Sequence, residues 1–528
     1  MRRTTAITAT ILAALIAPPA AAQHDHTHGD VGTVVFSNSC APAVQPDLAR
    51  GVGMLHSFWY GEGERTFRAV LAQDPSCTIA DWGIASLLMN NPLAGVGAAP
   101  KDAERAQAAL DHARQTPPQT QRERDYLEAV AAYYQDFATR PERLRQETRA
   151  KAYEALAARY PADDEAQIFS ALYLAGTQSQ ADQTYAAYAK AAAILEKQLV
   201  KTPDHPGIAH YIIHVYDAPP IAAHGLAAAR RYADLAPDAP HALHMPSHIF
   251  TRVGAWEESA ATNERSYNAA IKGNERAESY HASDYAVYAD LQLGRDTAAR
   301  AAIDRALKVT VTPPNVASIY AAAAMPARYA LERGDWKTAA QLTPPPGGLP
   351  FTDALSWYAH AIGAARTGDL AGVETAATAL AALQTKLSAT GNTYWAKEVE
   401  IQQRATAAWI AFLQKKPDDA LKLMREAADL EDRNEKHIVT PGRLVPAREL
   451  LGDMLLEAGQ PGLAIKEYEA SQLREPNRFR GYYGTARAAE AAGDRPRATA
   501  AYESLLALAK TADTNRPELA HARAFVGR

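Results

Sequence analysis

LLGDMLLEAGQPGLAIKEYEASQLREPN, residues Leu450–Asn477, is followed closely by a second stretch of the same make, YYGTARAAEAAGDRPRATAAYESLLALAK, residues Tyr482–Lys510. In each, a glycine is followed five residues later by alanine and four residues after that by tyrosine: Gly459, Ala464, Tyr468 and Gly493, Ala498, Tyr502. The two glycines are 34 residues apart. Glycine lets two helices approach closely at a turn, and alanine permits their tight crossing. Pro476 cannot continue the second helix and so ends it. More degenerate copies recur upstream: FRAVLAQDPSC (67–77), YEALAARYPADDEA (153–166), AAAILEKQLVKTPDHP (191–206), ARRYADLAPDAP (229–240), YADLQLGRDTAARAAIDRAL (288–307), YALERGDWKTAAQL (329–342) and WIAFLQKKPDDALKLMREA (409–427). Runs of Val, Ile and Thr alternating with period two are scarce.

A helix–turn–helix of 34 residues with this grammar resembles the tetratricopeptide repeat. The resemblance covers most of residues 50–510. It implies an all-α fold, a right-handed superhelical solenoid of such units. TPPPGGLPFTD (343–353) reads as a loop and a seam between two halves, and DRNEKHIVTPGRLVPARE (432–449) as a second loop before the last repeats. The expected division is a signal peptide over 1–22, a histidine-containing segment over 23–49, repeats carrying a histidine cluster over 50–342, and C-terminal repeats over 343–528.

The leader MRRTTAITATILAALIAPPAAAQ has two arginines, a short apolar run and small residues, with cleavage expected after Ala22. No later segment offers 18 apolar residues, so membrane insertion is not expected. The reading is an exported, periplasmic protein. Cys40 and Cys77 are the only cysteines; one disulfide is the expectation there, two separate buried thiols the alternative. A net charge of -5 without a basic stripe argues against nucleic acid as a partner.

Seven of the 16 histidines lie between residues 205 and 248. Pro206 and Pro240 stand 34 residues apart and open equivalent repeats. Counted from them, His210 and His214 are fifth and ninth in one repeat, and His244 and His248 fifth and ninth in the next, where His241 is second. Gly294 fixes the following register, with His281 second and Asp284 fifth; Glu165 is second in an earlier repeat. The resemblance implies that these positions of the first helix line the concave groove. Each HxxxH pair shares one helix face. His56 lies near the groove end of its own helix, and superhelical curvature would have to bring it near.

Imidazoles and carboxylates converging from adjacent helices suit a divalent transition metal (Zn, Cu, Fe, Ni or Mn), and more than four nitrogens suit two ions. The expected ligand set is His210, His214, His241, His244, His248, His281, His56, Glu165 and Asp284. Asp217, Glu258 and Asp284 are candidate acceptors for the non-ligating ring nitrogens. Arg252 is placed to reach the groove and meet a carboxylate or phosphate of a substrate. Pro246 breaks the repeat pattern and is read as either shaping the site or tolerated near a helix start. His205 is at the groove mouth, and His224, His112, His360, His437 and His521 are read as outside the set. His24, His26 and His28 would suit metal scavenging on a tail. Neither HxxxH carries the glutamate of HExxH, and no other catalytic motif is present. Three readings follow: a metalloenzyme, hydrolytic with Zn or oxidative with Cu or Fe, acting on a small molecule; a metal store or carrier; or a non-catalytic module binding a peptide or protein in its groove.

Overall fold

The computed structural model of the chain describes residues 30–527. The expected leader and His24, His26 and His28 lie outside them. Among the described residues every regular element is helical, α-helices interrupted by two short 3-10 turns, Pro42–Val44 and Ala222–Gly225. Consecutive helices pack on one another along the chain: Trp256–Lys272 on Arg276–Gln292, Pro350–Thr367 on Leu370–Ala389, Phe479–Ala491 on Arg495–Leu508. This is an all-α, tetratricopeptide-like solenoid.

The C-terminal units show why the repeat residues recur. Gly459 and Gly493 follow the helices Ala447–Glu457 and Phe479–Ala491 with φ of +72° and +75°, a left-handed turn that favours glycine. Ala464, Ala498, Tyr468 and Tyr502 are buried. The Tyr468 ring is wedged between Gly452 and Gly484; a Cβ at either glycine would come within 2.8 Å or 2.2 Å of it. One unit departs from the expected pattern. The second helix of the 329–342 segment is only Trp336–Ala339, because Pro344, Pro345 and Pro346 follow and cannot extend it.

One buried apolar core runs from Val31 to Phe250 and another from Tyr320 to Ala522. They are joined by more than chain order. The last repeats fold back on the helices between them: Trp256 Nε1 donates to Asn477 O at 2.7 Å, and the Phe479 amide to Gln292 Oε1 at 2.9 Å. Arg516 pairs with buried Asp296. The loop between the helices Pro417–Asp432 and Ala447–Glu457 crosses to the first half as a strap. Its Glu435 amide donates to Gln180 O at 3.1 Å, His437 Nε2 to Ala94 O at 3.2 Å, and Lys436 Nζ to Asp217 Oδ2 at 3.2 Å. Arg328 holds its far end through the Gly442 and Arg443 carbonyls.

The Cys40 and Cys77 sulfurs are bonded, closing a 37-residue separation. Reduction, or replacement of both cysteines by serine, is expected to lower stability by about 3–4 kcal/mol on the chain-entropy argument, measured by denaturant unfolding.

Candidate metal centre

Three helical segments carry the central histidines: Pro206–Val215, then Pro240–His244 with Pro246–Arg252, then Arg276–Gln292. Prolines at the first helical positions suit Pro206 and Pro240, since the missing N–H would be unpaired there anyway. Met245 keeps right-handed helical angles (φ -54°, ψ -35°) between the two helical pieces that Pro246 separates. His244 and His248 face each other Nε2 to Nε2 at 3.1 Å. His210 and His214, on an unbroken helix, do the same at 3.1 Å. The proline is therefore not what brings the rings together.

The structure sorts the histidines into three groups, each with its ligand atoms within 4.8 Å of one another: His210, His214 and His241; His244, His248 and His281; His56, Glu165 and His205. The first two lie side by side. The His214 and His248 rings are 5.8 Å apart and those of His241 and His244 5.9 Å. Asp284 is in none of the groups; it faces Arg328 at 3.4 Å, and burial raises its pKa to about 6. Cys40 and Cys77 lie near Asp74, but their sulfurs are bonded to each other and offer no thiolate.

Hydrogen bonds on the outer nitrogens decide the tautomers. Asn263 Nδ2 donates to Ser259 O at 2.7 Å, which turns Asn263 Oδ1 toward His244 Nδ1 at 2.7 Å. An amide oxygen only accepts, so His244 carries its proton on Nδ1. His248 Nδ1 donates to Asp217 Oδ2 at 2.9 Å. Burial alone would raise the Asp217 pKa, but Lys436 and Arg252 hold it well below the usual carboxylate range, so it too accepts. Both Nε2 atoms therefore present lone pairs to each other. Burial, then neighbouring imidazoles, push His244 well below the ordinary histidine pKa; burial outweighs Asp217 and lowers His248 also. No proton bridges the pair at neutral pH. Two lone pairs about 3 Å apart repel, whereas two nitrogens each about 2.0–2.1 Å from one ion stand at about that separation. His281 adds a buried Nδ1 with no partner, its ring 4.3 Å from that of His244.

In the first group one tautomer is fixed, and His214 Nε2 can donate to the bare nitrogen of His210. His210 Nδ1 donates to His56 O at 2.6 Å, which leaves its Nε2 bare. His241 directs Nδ1 at Glu278 Oε1, 3.3 Å away, and its buried Nε2 has no partner. Phe58, left-handed at φ +51°, lays its ring on His210 and His241 as an apolar wall. The third group differs. Glu165 accepts from His56 Nε2 and His205 Nε2, each at 2.9 Å, while Tyr211 OH meets His56 Nδ1 at 2.9 Å. The two imidazoles hold its carboxyl well below the usual range despite burial. Here hydrogen bonds satisfy the carboxylate without an ion.

Arg252, expected to meet a substrate, is spent on Asp217 through Nε at 2.7 Å. Glu258 pairs with Arg230 away from the histidines. Tyr216, Tyr280 and Tyr288 bond Glu196, Val309 O and Glu475. His224 packs on Tyr216. His112, His360 and His521 bond Asp81, Leu342 O and Glu490. Sequence reading missed Asn263, Glu278 and Lys436. Glu278 lies one helical turn before His281 and was legible as such; Lys436 had no local signal.

No family model and no curated protein matches the chain. Among solved structures, it is similar to human IFIT1, recorded as a dimer with m7Gppp-AAAA, at 13% identity and a TM-score of 0.36, covering 78% of this chain and 87% of that one. A likeness that low carries no argument.

Replacing Asn263 with leucine frees the His244 tautomer; metal affinity is expected to fall about 10–100-fold with the saturating metal-to-protein ratio unchanged, read by titration against a competing chelator. His437 is pushed down from 6.5 to about 4 by burial, so the unfolded chain takes a proton there that the folded one refuses. Its contribution is full above pH 6.5 and is lost as pH falls through about 4. The loss totals about 3 kcal/mol, and H437N is expected to flatten that part of the stability–pH curve.

Proposed function

We propose that this is an exported solenoid protein binding one or two divalent transition-metal ions, Zn, Cu or Fe, in the two histidine triads. The observation that carries the reading is the His244–His248 pair, two buried nitrogens with lone pairs facing at 3.1 Å and both Nδ1 protons committed elsewhere. A cation between them turns that repulsion into two coordinate bonds. All-imidazole donors suit Zn, Cu and Fe better than Mg or Ca. Three protein nitrogens leave a tetrahedral ion one open position, the pattern of catalytic rather than closed structural zinc sites. That favours a metalloenzyme or exchangeable carrier for a small ligand over a purely structural ion. The disulfide suits an oxidising compartment and supports export. The rival reading, a groove for a peptide or protein, has less support, because the chain's own strap covers the groove beside His248.

Protein purified without chelator is expected to carry stoichiometric metal, and His244→Ala with His248→Ala to lose at least half of it. Metal-free wild-type protein would overturn the reading. Full occupancy in the double variant would move the site elsewhere. Chelation should also lower Tm, as loss of any native-state ligand does.

A further inference from the structure

Arg149 is 1% exposed, on the helix Glu142–Arg159. Two other arginines are as deeply buried, and both are neutralised: Arg328 by Asp284, Arg478 by Glu332 and Glu449. Arg149 forms no ion pair among the described residues. Its Nη1 touches Met89 Sδ at 3.1 Å, and its guanidinium lies over the rings of Tyr173 at 4.2 Å and Tyr133 at 5.2 Å. Its Nε and Nη2 are buried with no hydrogen-bond partner.

Those two atoms are not an arbitrary pair. Nε–H and Nη2–H leave the planar guanidinium along one edge, in parallel, at the spacing of two oxygens of a carboxylate or phosphate. Two buried donors of one cation thus stand without an acceptor. An uncompensated buried charge is among the costliest features a fold can retain, and cation–π contact with two rings offsets only part of that.

We infer that the Nε–Nη2 edge of Arg149 is a receptor for the oxyanion of a small ligand, a carboxylate or a phosphate. The inference is independent of metal: Arg149 belongs to the helix Glu142–Arg159, which carries none of the histidines. The anion makes a bidentate, charge-assisted contact that bulk water does not weaken.

The test follows thermal unfolding and calorimetric binding of acetate and of inorganic phosphate, against chloride at equal ionic strength, on chelator-treated and metal-loaded protein. Wild-type Tm should rise saturably with one of the two oxyanions, and which one identifies the headgroup. Arg149→Met keeps the length and packing but removes charge and fork. It should fold with ligand-free stability equal to or above wild type and lose the response, at least about tenfold in affinity. Arg149→Lys keeps the charge without the fork and should bind about tenfold more weakly as well. An unchanged response in either variant, or a wild-type protein that distinguishes neither oxyanion from chloride, overturns the inference and shows Arg149 to be a packing element between two rings. Protein that carries no metal yet responds to the oxyanion would lose the metal reading and keep this one.

Discussion

Asp217 is where the structure is tied together. One oxygen takes the His248 imidazole at 2.9 Å and Lys436 at 3.2 Å; the other takes Arg252 at 2.7 Å. A solenoid is otherwise stabilised between nearest neighbours, each unit resting only on the next. Lys436 stands 219 residues from Asp217, so this contact is what neighbour packing cannot supply. All four groups are buried. Removing one partner leaves an unpaired interior charge, typically a loss of about 3–5 kcal/mol. Burial drags the Lys436 pKa down to about 8, a shift that Asp217 partly resists.

The same carboxylate sets the chemistry of the site. A histidine offers a metal only the nitrogen that lacks a proton, and the partner of the other nitrogen decides which that is. Asp217, Asn263 and the His56 carbonyl each claim an Nδ1 proton and turn Nε2 inward. Glu165 does the reverse to His56 and His205: it takes their Nε2 protons and closes the group upon itself. The His56–Glu165–His205 group and the all-histidine triads, linked through His56, therefore differ in what they ask for. In the first a carboxylate takes up two imidazole protons, with His205 Nδ1 left unpartnered; in the second the His244 and His248 lone pairs face each other.

Much of this was legible in the sequence for a specific reason. Register in a repeat is local, so the 34-residue spacing of Pro206 and Pro240 carries His210, His214, His244 and His248 to equivalent places on adjacent helices. Asp284 shows the limit of register. It sits at a groove position, but Arg328, from the helix Val316–Glu332, claims its side chain. His56, Glu165 and His205 gather because separate helices converge, which no single period encodes. The strap was visible only as a loop, because what a loop touches depends on how the superhelix closes. That closure depends on single long-range contacts such as Trp256 with Asn477 and Arg516 with Asp296.

For an ion held as proposed, closure and metal affinity are one equilibrium. Lys436 and Arg252 keep Asp217 ionised, Asp217 keeps the His248 proton on Nδ1, and that proton's place leaves Nε2 able to bind. Lifting the strap would remove Lys436 from this chain and Thr440 and Ile438 from Tyr285, whose ring packs on both His244 and His248. An ion that prefers the ordered triad must, by linkage, favour the docked strap by the same free energy. The long return of the second half over the first thus supplies one of the two cations that hold the carboxylate on which His248 rests.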